Sequence, residues 1–295
     1  MSDTSENLRR NIDSAGQLQS VVRTMKAMAA SSITSYERAV QSLEDYYRTV
    51  QLALAAGFRQ LPRAQRVAFD GGGGEGLVVA IVFGSDQGLV GPFNDQLLDF
   101  VDTALKTLPQ PMALWSVGQR IQSRLVDTAA PLGKTFSLPS SIAAITPLVD
   151  DILVELEAVR EKSGLAQVCL FHNQPKAASV YAPVMQRLLP LDAVWESDLA
   201  AVAWPTKRTP EVMQMGRTTL LAFVREYLFV SLFRTCAESL ASENASRLAA
   251  MQRAEKNIDE LLDDLNRSFH RLRQNSIDEE LFDVVSGFEA LTQDH

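Results

Sequence analysis

From Glu211 to His295 the chain has no proline, and an apolar stripe runs through the stretch at helical spacing. Leu221, Val224, Leu228 and Leu232 begin it, Ile258, Leu262, Leu265, Phe269 and Leu272 continue it, and Ile277, Leu281, Val284, Phe288 and Leu291 repeat the beat. As one helix of about 80 residues this segment would be ~120 Å long. An ordinary globular helix has about 11 or 12 residues. No domain-sized core covers such a rod, so the stripe needs a second helix or a surrounding partner. This is the sequence of a mechanical part before it is that of an enzyme.

The start of the chain supplies a second helix. Leu8, Ile12, Val22 and Met25 follow three-and-four spacing, and Tyr36, Val40, Leu43, Tyr47, Val50 and Leu54 form an a/d seam, with no proline before Pro62. The simplest way to bury both stripes is to lay the two ends antiparallel, with the middle as an insertion. The five-residue step from Leu272 to Ile277 breaks the register, which predicts a curved or locally unwound pair.

The middle reads as α/β. DGGGGEG, Asp70 to Gly76, is a joint poorly suited to helix or strand. Leu77–Phe83 is a continuous apolar run, as expected of a strand buried on both faces. Met112–Val117 and Leu165–Phe171 read as further strands, and Ser179–Leu191 as a strand or an irregular segment. Helical patterns lie around Leu97–Leu105, at RIQSRLV and around Leu148–Glu161. The alternation predicts a small α/β domain with a mainly parallel sheet. The boundaries that follow are 1–61 for the first helix, 70–205 for the insertion and 210–295 for the last helix.

Chemistry is hard to find. GSDQGLVG after the first strand is neither GxGxxG nor a phosphate loop, so no cofactor is expected. Gly84, Gly88 and Gly91 are read as turn residues, and Asp86 and Asn94 as turn stabilisers. His172, His270 and His295 have no partner at metal spacing, no GxSxG elbow occurs, and Cys169 and Cys236 read as buried thiols. A net charge of −8 argues against nucleic acid. The polar start lacks a signal core, and no run approaches the ~20 apolar residues of a membrane span. An intracellular protein is expected, with membrane association only through a partner.

Three stretches are more specific: VVRTMKAMAASS, SDQGLVGPFN, and ASENASRLAAMQRAEKNIDELLDDLNRSFHRLRQNSIDEELFDVVSGFEAL. They resemble the gamma subunit of F-type ATP synthases across essentially the whole chain. The resemblance implies an antiparallel coiled coil of the N- and C-terminal helices with an inserted Rossmann-like α/β domain. It implies a non-catalytic central-stalk rotor inside a ring of alpha and beta subunits. That rotor would stand with the epsilon subunit on a membrane ring of c subunits, at the cytoplasmic face of a bacterial inner membrane. By the same resemblance, Met25, Lys26, Glu243, Arg247 and Met251 are coiled-coil contacts, with Arg247 near Met25. Arg273, Gln274, Asp278 and Gln87 face the alpha/beta ring, and Val284, Val285, Phe288 and Leu291 form an apolar shaft tip.

The chain departs from the family pattern in several places. Gln87 stands where an arginine is usual, Val90 for cysteine, Pro92 for glycine, Asp278 for threonine, and Ser31–Ser35 for a basic run. A divergent bacterial form is implied, with less charge pairing to the beta subunit. Two other readings are a static coiled-coil scaffold with an α/β adaptor, and a small nucleotide-dependent enzyme on residues 70–205.

Overall fold

The computed structural model describes residues 5–60, 76–109, 111–126, 130–176, 180–191 and 217–293, with single positions 128, 195, 197, 199, 204 and 206, and side chains to Ser286. The expected boundaries at 61, 70, 205 and 210, with the glycines of 71–74, lie outside the described residues. The elements in order are α1 (Ser5–Gln60), β1 (Leu77–Phe83), α2 (Phe93–Leu105), β2 (Met112–Val117), α3 (Gln119–Leu125), β3 (Leu132–Phe136), α4 (Ile145–Ser163), β4 (Leu165–Gln174), β5 (Ala182–Leu189) and α5 (Arg217–Gln293). The terminal helices have 56 and 77 residues. The chain divides into two compact units, Met1–Met28 with Leu248–His295, and Ala29–Arg247.

The larger unit is built on a five-stranded sheet ordered β3-β2-β1-β4-β5. β1 pairs parallel with β2 and β4, β2 parallel with β3, and β4 antiparallel with β5. The mainly parallel expectation therefore holds for four strands, and Ser179–Leu191 resolves into an antiparallel edge strand. β3 was not foreseen. Its centre, Gly133-Lys134-Thr135, is exposed and polar, so it carries no apolar signal.

Side-chain alternation splits the sheet into two faces. Val79, Ile81 and Phe83 of β1 join Trp115, Val168 and Leu170 in a core with α4 and with the parts of α1 and α5 in this unit. Ala80 and Val82 point the other way, to Leu114, Cys169 and Phe171, and are covered by Leu97 and Val101 of α2 and Ile121 and Leu125 of α3. The central strands are buried on both faces, which is why Leu77–Phe83 reads as an unbroken apolar run. Both cysteines are free and buried, as expected.

Within this unit α1 and α5 run antiparallel. The Tyr46 hydroxyl donates to Glu226 at 2.6 Å, and Tyr47 stacks on Tyr227 at 5.9 Å between centroids. Further on, Tyr36 and Cys236 are buried in the same core cluster.

The smaller unit is a two-helix pair of the same sense. Gln19 bonds to Asp259, and Arg23 Nε donates to Glu255 at 2.9 Å, so the numbers run in opposite directions. Val22, Met251 and Ile258 form its buried seam, with Met25, Ala250, Ala254 and Leu262 packed against them. Continued one for one, that register sets Ser5 opposite residue 273. Beyond that point no described residue of α1 faces α5, and Ile277, Leu281, Phe282, Val284 and Val285 are all exposed. The five-residue step from Leu272 to Ile277 thus falls where the paired stretch ends.

Candidate functional site

The order 3-2-1-4 reverses between β1 and β4. In open α/β sheets, ligands bind in the crevice at the carboxyl ends of such a strand pair. Here the chain itself fills that crevice. Ser239 of α5 donates to Phe83 O, at the end of β1, at 3.1 Å. Glu238 of α5 bonds to His172 Nε2 at 2.9 Å and accepts from Gln174 Nε2 at 3.1 Å, both at the end of β4. Ser246 donates to Val90 O, in the loop after β1, at 2.6 Å. The small polar run TCAESLASENAS suits this position. A serine brings a hydroxyl to a strand end without holding the helix away from the sheet.

The loop Gly84–Pro92 is tied down on several sides. Ser85 N–H donates to Asn94 Oδ1 at 3.1 Å, and Asn94 Nδ2 donates to Ser85 Oγ at 2.8 Å. Asn173 Nδ2 donates to Phe93 O at 3.0 Å, and Phe93 meets Tyr181 edge-on. Asp86 takes the backbone N–H of Gln119 at 2.8 Å and that of Leu138 at 3.2 Å. Asn94 therefore stabilises the turn as expected, whereas the two bonds of Asp86 go to distant connections, at Gln119 and Leu138.

The glycines divide by role. Gly91 has φ +57°, a genuine turn requirement. Gly84 is needed for close approach instead, because a Cβ there would lie 2.2 Å from Ile121 Cβ. Gly88 has open space around it and no left-handed φ, so the turn role assigned to it has no structural basis. Leu89 has the left-handed backbone instead, at φ 62°, with its side chain 63% exposed.

Beside the crevice lies a buried ionic cluster. Glu238 also accepts from Arg234 Nε at 2.8 Å, and the Arg234 guanidinium sits 5.4 Å from the centroid of the Tyr47 ring on α1. Burial opposes ionisation of Glu238, but the bonds from His172 and Arg234 outweigh it and hold its pKa below the usual carboxylate range. His172 lies in the last three residues of β4, and its ring is buried against Glu238. Periodicity gave no sign of this cluster, because His172 and Glu238 are 66 residues apart.

The sequence-derived contacts fall in different places. Glu243 is buried, paired with Arg247 at 2.5 Å, and its Oε2 has no hydrogen-bond partner among the described residues. Burial raises its pKa against the pull of Arg247. Arg247 also donates to Asn244 at 3.3 Å. Met25 and Met251 pack in the same cluster of the smaller unit. Lys26 pairs with Glu255, a residue the sequence reading did not single out; bonds from Lys26 and Arg23 lower its pKa. Gln87 is exposed, as are Arg273, Gln274 and Asp278. Val284 is 72% and Val285 45% exposed. Phe288 and Leu291 lie in α5, but their side chains are outside the described residues. Across Ser31–Ser35 no charge is presented, and Ser35 and Thr34 bond back to the carbonyls of Ser31 and Ala30.

The sequence model of the family described as ATP synthase matches residues 4–291. The chain belongs to the ATP synthase family. The ATP synthase gamma chain of Sorangium cellulosum is 25% identical, over 98% of this chain and 99% of that one. That of Granulibacter bethesdensis is 26% identical, over 96% and 98%. Among solved structures, a chain from the rotor of the Euglena gracilis mitochondrial ATP synthase superposes with a TM-score of 0.64 at 15% identity, covering 92% of this chain and 98% of its own. A central-stalk chain of the Tetrahymena thermophila enzyme gives 0.55 at 18% identity, covering 79% and 99%. The relatives are matched nearly end to end, so the family assignment covers the terminal helices as well as the sheet. No helix among the described residues is long and apolar enough to cross a membrane.

Proposed function

We propose that this chain is the central rotor shaft of a rotary ATP synthase or ATPase, without catalytic residues of its own. The observation that carries the reading is the unaccompanied end of α5. Past residue 273 no described residue of α1 faces the helix, and it presents Ile277, Leu281, Phe282, Val284 and Val285 to its surroundings. Apolar side chains on a lone helix need an outside cover. A ring of alpha and beta subunits supplies one, and contacts without directional hydrogen bonds suit a bearing surface.

Coupling then follows from differential contact. A shaft shifts a ring subunit only by as much as it binds one conformation better than another. One asymmetric shaft in a three-fold ring presents a different face to each site. Arg273 and Gln274, both exposed on α5, offer a planar guanidinium and an amide for gripping a loop of the ring, with Asp278 one turn beyond. Gln87 is offered by the loop after β1. Met25 and Met251 in the seam and Lys26 on Glu255 hold the helices in register, and the family resemblance assigns Glu243 and Arg247 to the same coiled coil. The far end of the shaft works with an epsilon subunit on a c ring, at the cytoplasmic face of a bacterial membrane.

The test is reconstitution with the alpha and beta chains of the same source. The complex should hydrolyse ATP, and this chain alone should not. Arg273→Ala with Gln274→Ala should lower coupled turnover while leaving the helix content unchanged. Turnover by the isolated chain, or failure to join alpha and beta, would remove the rotor reading and favour a static scaffold.

A further inference from the structure

Between Thr235 and Ser246 α5 is a smooth rod in a closed seat. The run TCAESLASENAS holds Leu240 as its one large apolar side chain, and every residue from Thr235 to Asn244 is buried. Packed helices resist turning because ridges of side chains on one sit in the grooves of the other. Serine and alanine make low ridges, so this stretch of α5 gains little hold of that kind.

Polar ties supply the hold instead. Glu238 meets His172 and Gln174 near the end of β4, Ser239 donates to Phe83 O at the end of β1, and Ser246 donates to Val90 O in the loop beyond it. On the side of α1, Arg234 sits over the Tyr47 ring. At about 100° per residue, these four side chains leave the helix over an arc of about 140°. A hydrogen bond weakens steeply when its angle is bent. Ties on different bearings therefore oppose turning of α5 about its own axis in either sense, where low apolar ridges alone would let it slip. This gives a reason for hydroxyls and a carboxylate on a helix segment so fully buried.

The chain passes between the two compact units only inside α1 and α5. Twist carried from one unit to the other runs through these helices, and a helix free to turn in its seat would lose it. We infer that Ser239 and Ser246, with Glu238, key α5 to the sheet against rotation and are positioning residues for coupling. The inference rests on the rotor reading and deepens it. The exposed end of α5 offers apolar contacts without directional bonds, whereas its buried middle is locked by such bonds.

The test uses membrane vesicles that carry the whole complex, with ATP-driven ion pumping followed until it stops at a limiting ion ratio. Ser239→Ala with Ser246→Ala removes two ties and leaves the rod as smooth as before. The double variant should hydrolyse ATP at the wild-type rate when no gradient opposes it. Its limiting ion ratio should be lower by about twofold or more, because the joint slips only under load. Ile152→Val, a core substitution on α4 that makes none of the ties, is the control for stability. It should lower the unfolding temperature of the free chain and leave the limiting ratio unchanged. A wild-type ratio in the double variant, or an equal loss in Ile152→Val, would overturn the inference. If the double variant does not assemble, each serine variant is measured alone and should show part of the same loss. A wild-type complex that hydrolyses ATP but never pumps would sink the rotor reading itself.

Discussion

Removal of the Glu238 carboxylate should destabilise the larger unit by about 3–5 kcal/mol, the usual cost of breaking a buried ion pair by deleting one partner. The structure supports the upper part of that range. Glu238 is 6% exposed and serves three donors, from His172, Gln174 and Arg234. In Glu238→Ala, His172 Nε2 is left buried, and its Nδ1 already has no partner among the described residues. The guanidinium of Arg234, 32% exposed, recovers part of its hydration, which limits the loss. The assay is urea unfolding followed by tryptophan fluorescence, since Trp115 lies in the same unit and is 2% exposed. The midpoint should fall by about 1 M or more at unchanged slope.

The pH dependence provides the sharper half of this test. The pKa of Glu238 is depressed in the folded state, so its stabilisation is complete above its unfolded pKa and is lost as pH falls through the folded one. The gap between wild type and Glu238→Gln should therefore be widest near neutrality and close in acid. A gap that stays constant from pH 7 down to about 3, or an alanine variant within about 1 kcal/mol of wild type, would refute the account of this cluster.

Three further outcomes are expected. Gly84→Ala should cost about 3 kcal/mol, read by thermal unfolding, because its Cβ would meet Ile121 Cβ at 2.2 Å and Asn94 Oδ1 at 2.9 Å. Glu255→Gln should weaken the two-helix unit, seen as faster amide exchange around Val22 and Met251. That effect should fade below the depressed carboxylate pKa and in high salt, since the pair is exposed. Gln87→Arg should change coupling only if an acidic segment of the ring faces the loop, so identical pumping per ATP in the two forms would exclude that contact.

The periodic elements were legible because their signal is local. The stripes of α1 and α5, the unbroken run of β1 and the seam residues Val22, Met25 and Ile258 each follow from spacing within one segment, while Met251 came from the family motif. Antiparallel packing followed from economy, as two stripes at the chain ends bury each other most simply that way. β3 was illegible because an exposed Gly-Lys-Thr centre looks like a loop. The site divides along the same line. The roles proposed for Arg273, Gln274 and the apolar end of α5 come from a family motif, and the exposure of Arg273 and Gln274 is a simple property of one helix.

The sequence by itself determined that two long helices flank an α/β insertion, since helical and strand periods are set by neighbouring residues. Only the tertiary structure decided that α5 fills the ligand crevice of the sheet, that Glu238 meets His172, and that Asp86 joins the backbone of Gln119 and Leu138. Each of those depends on backbone groups brought together from distant segments. A hydrogen bond between such groups leaves no spacing in the chain from which it could be read.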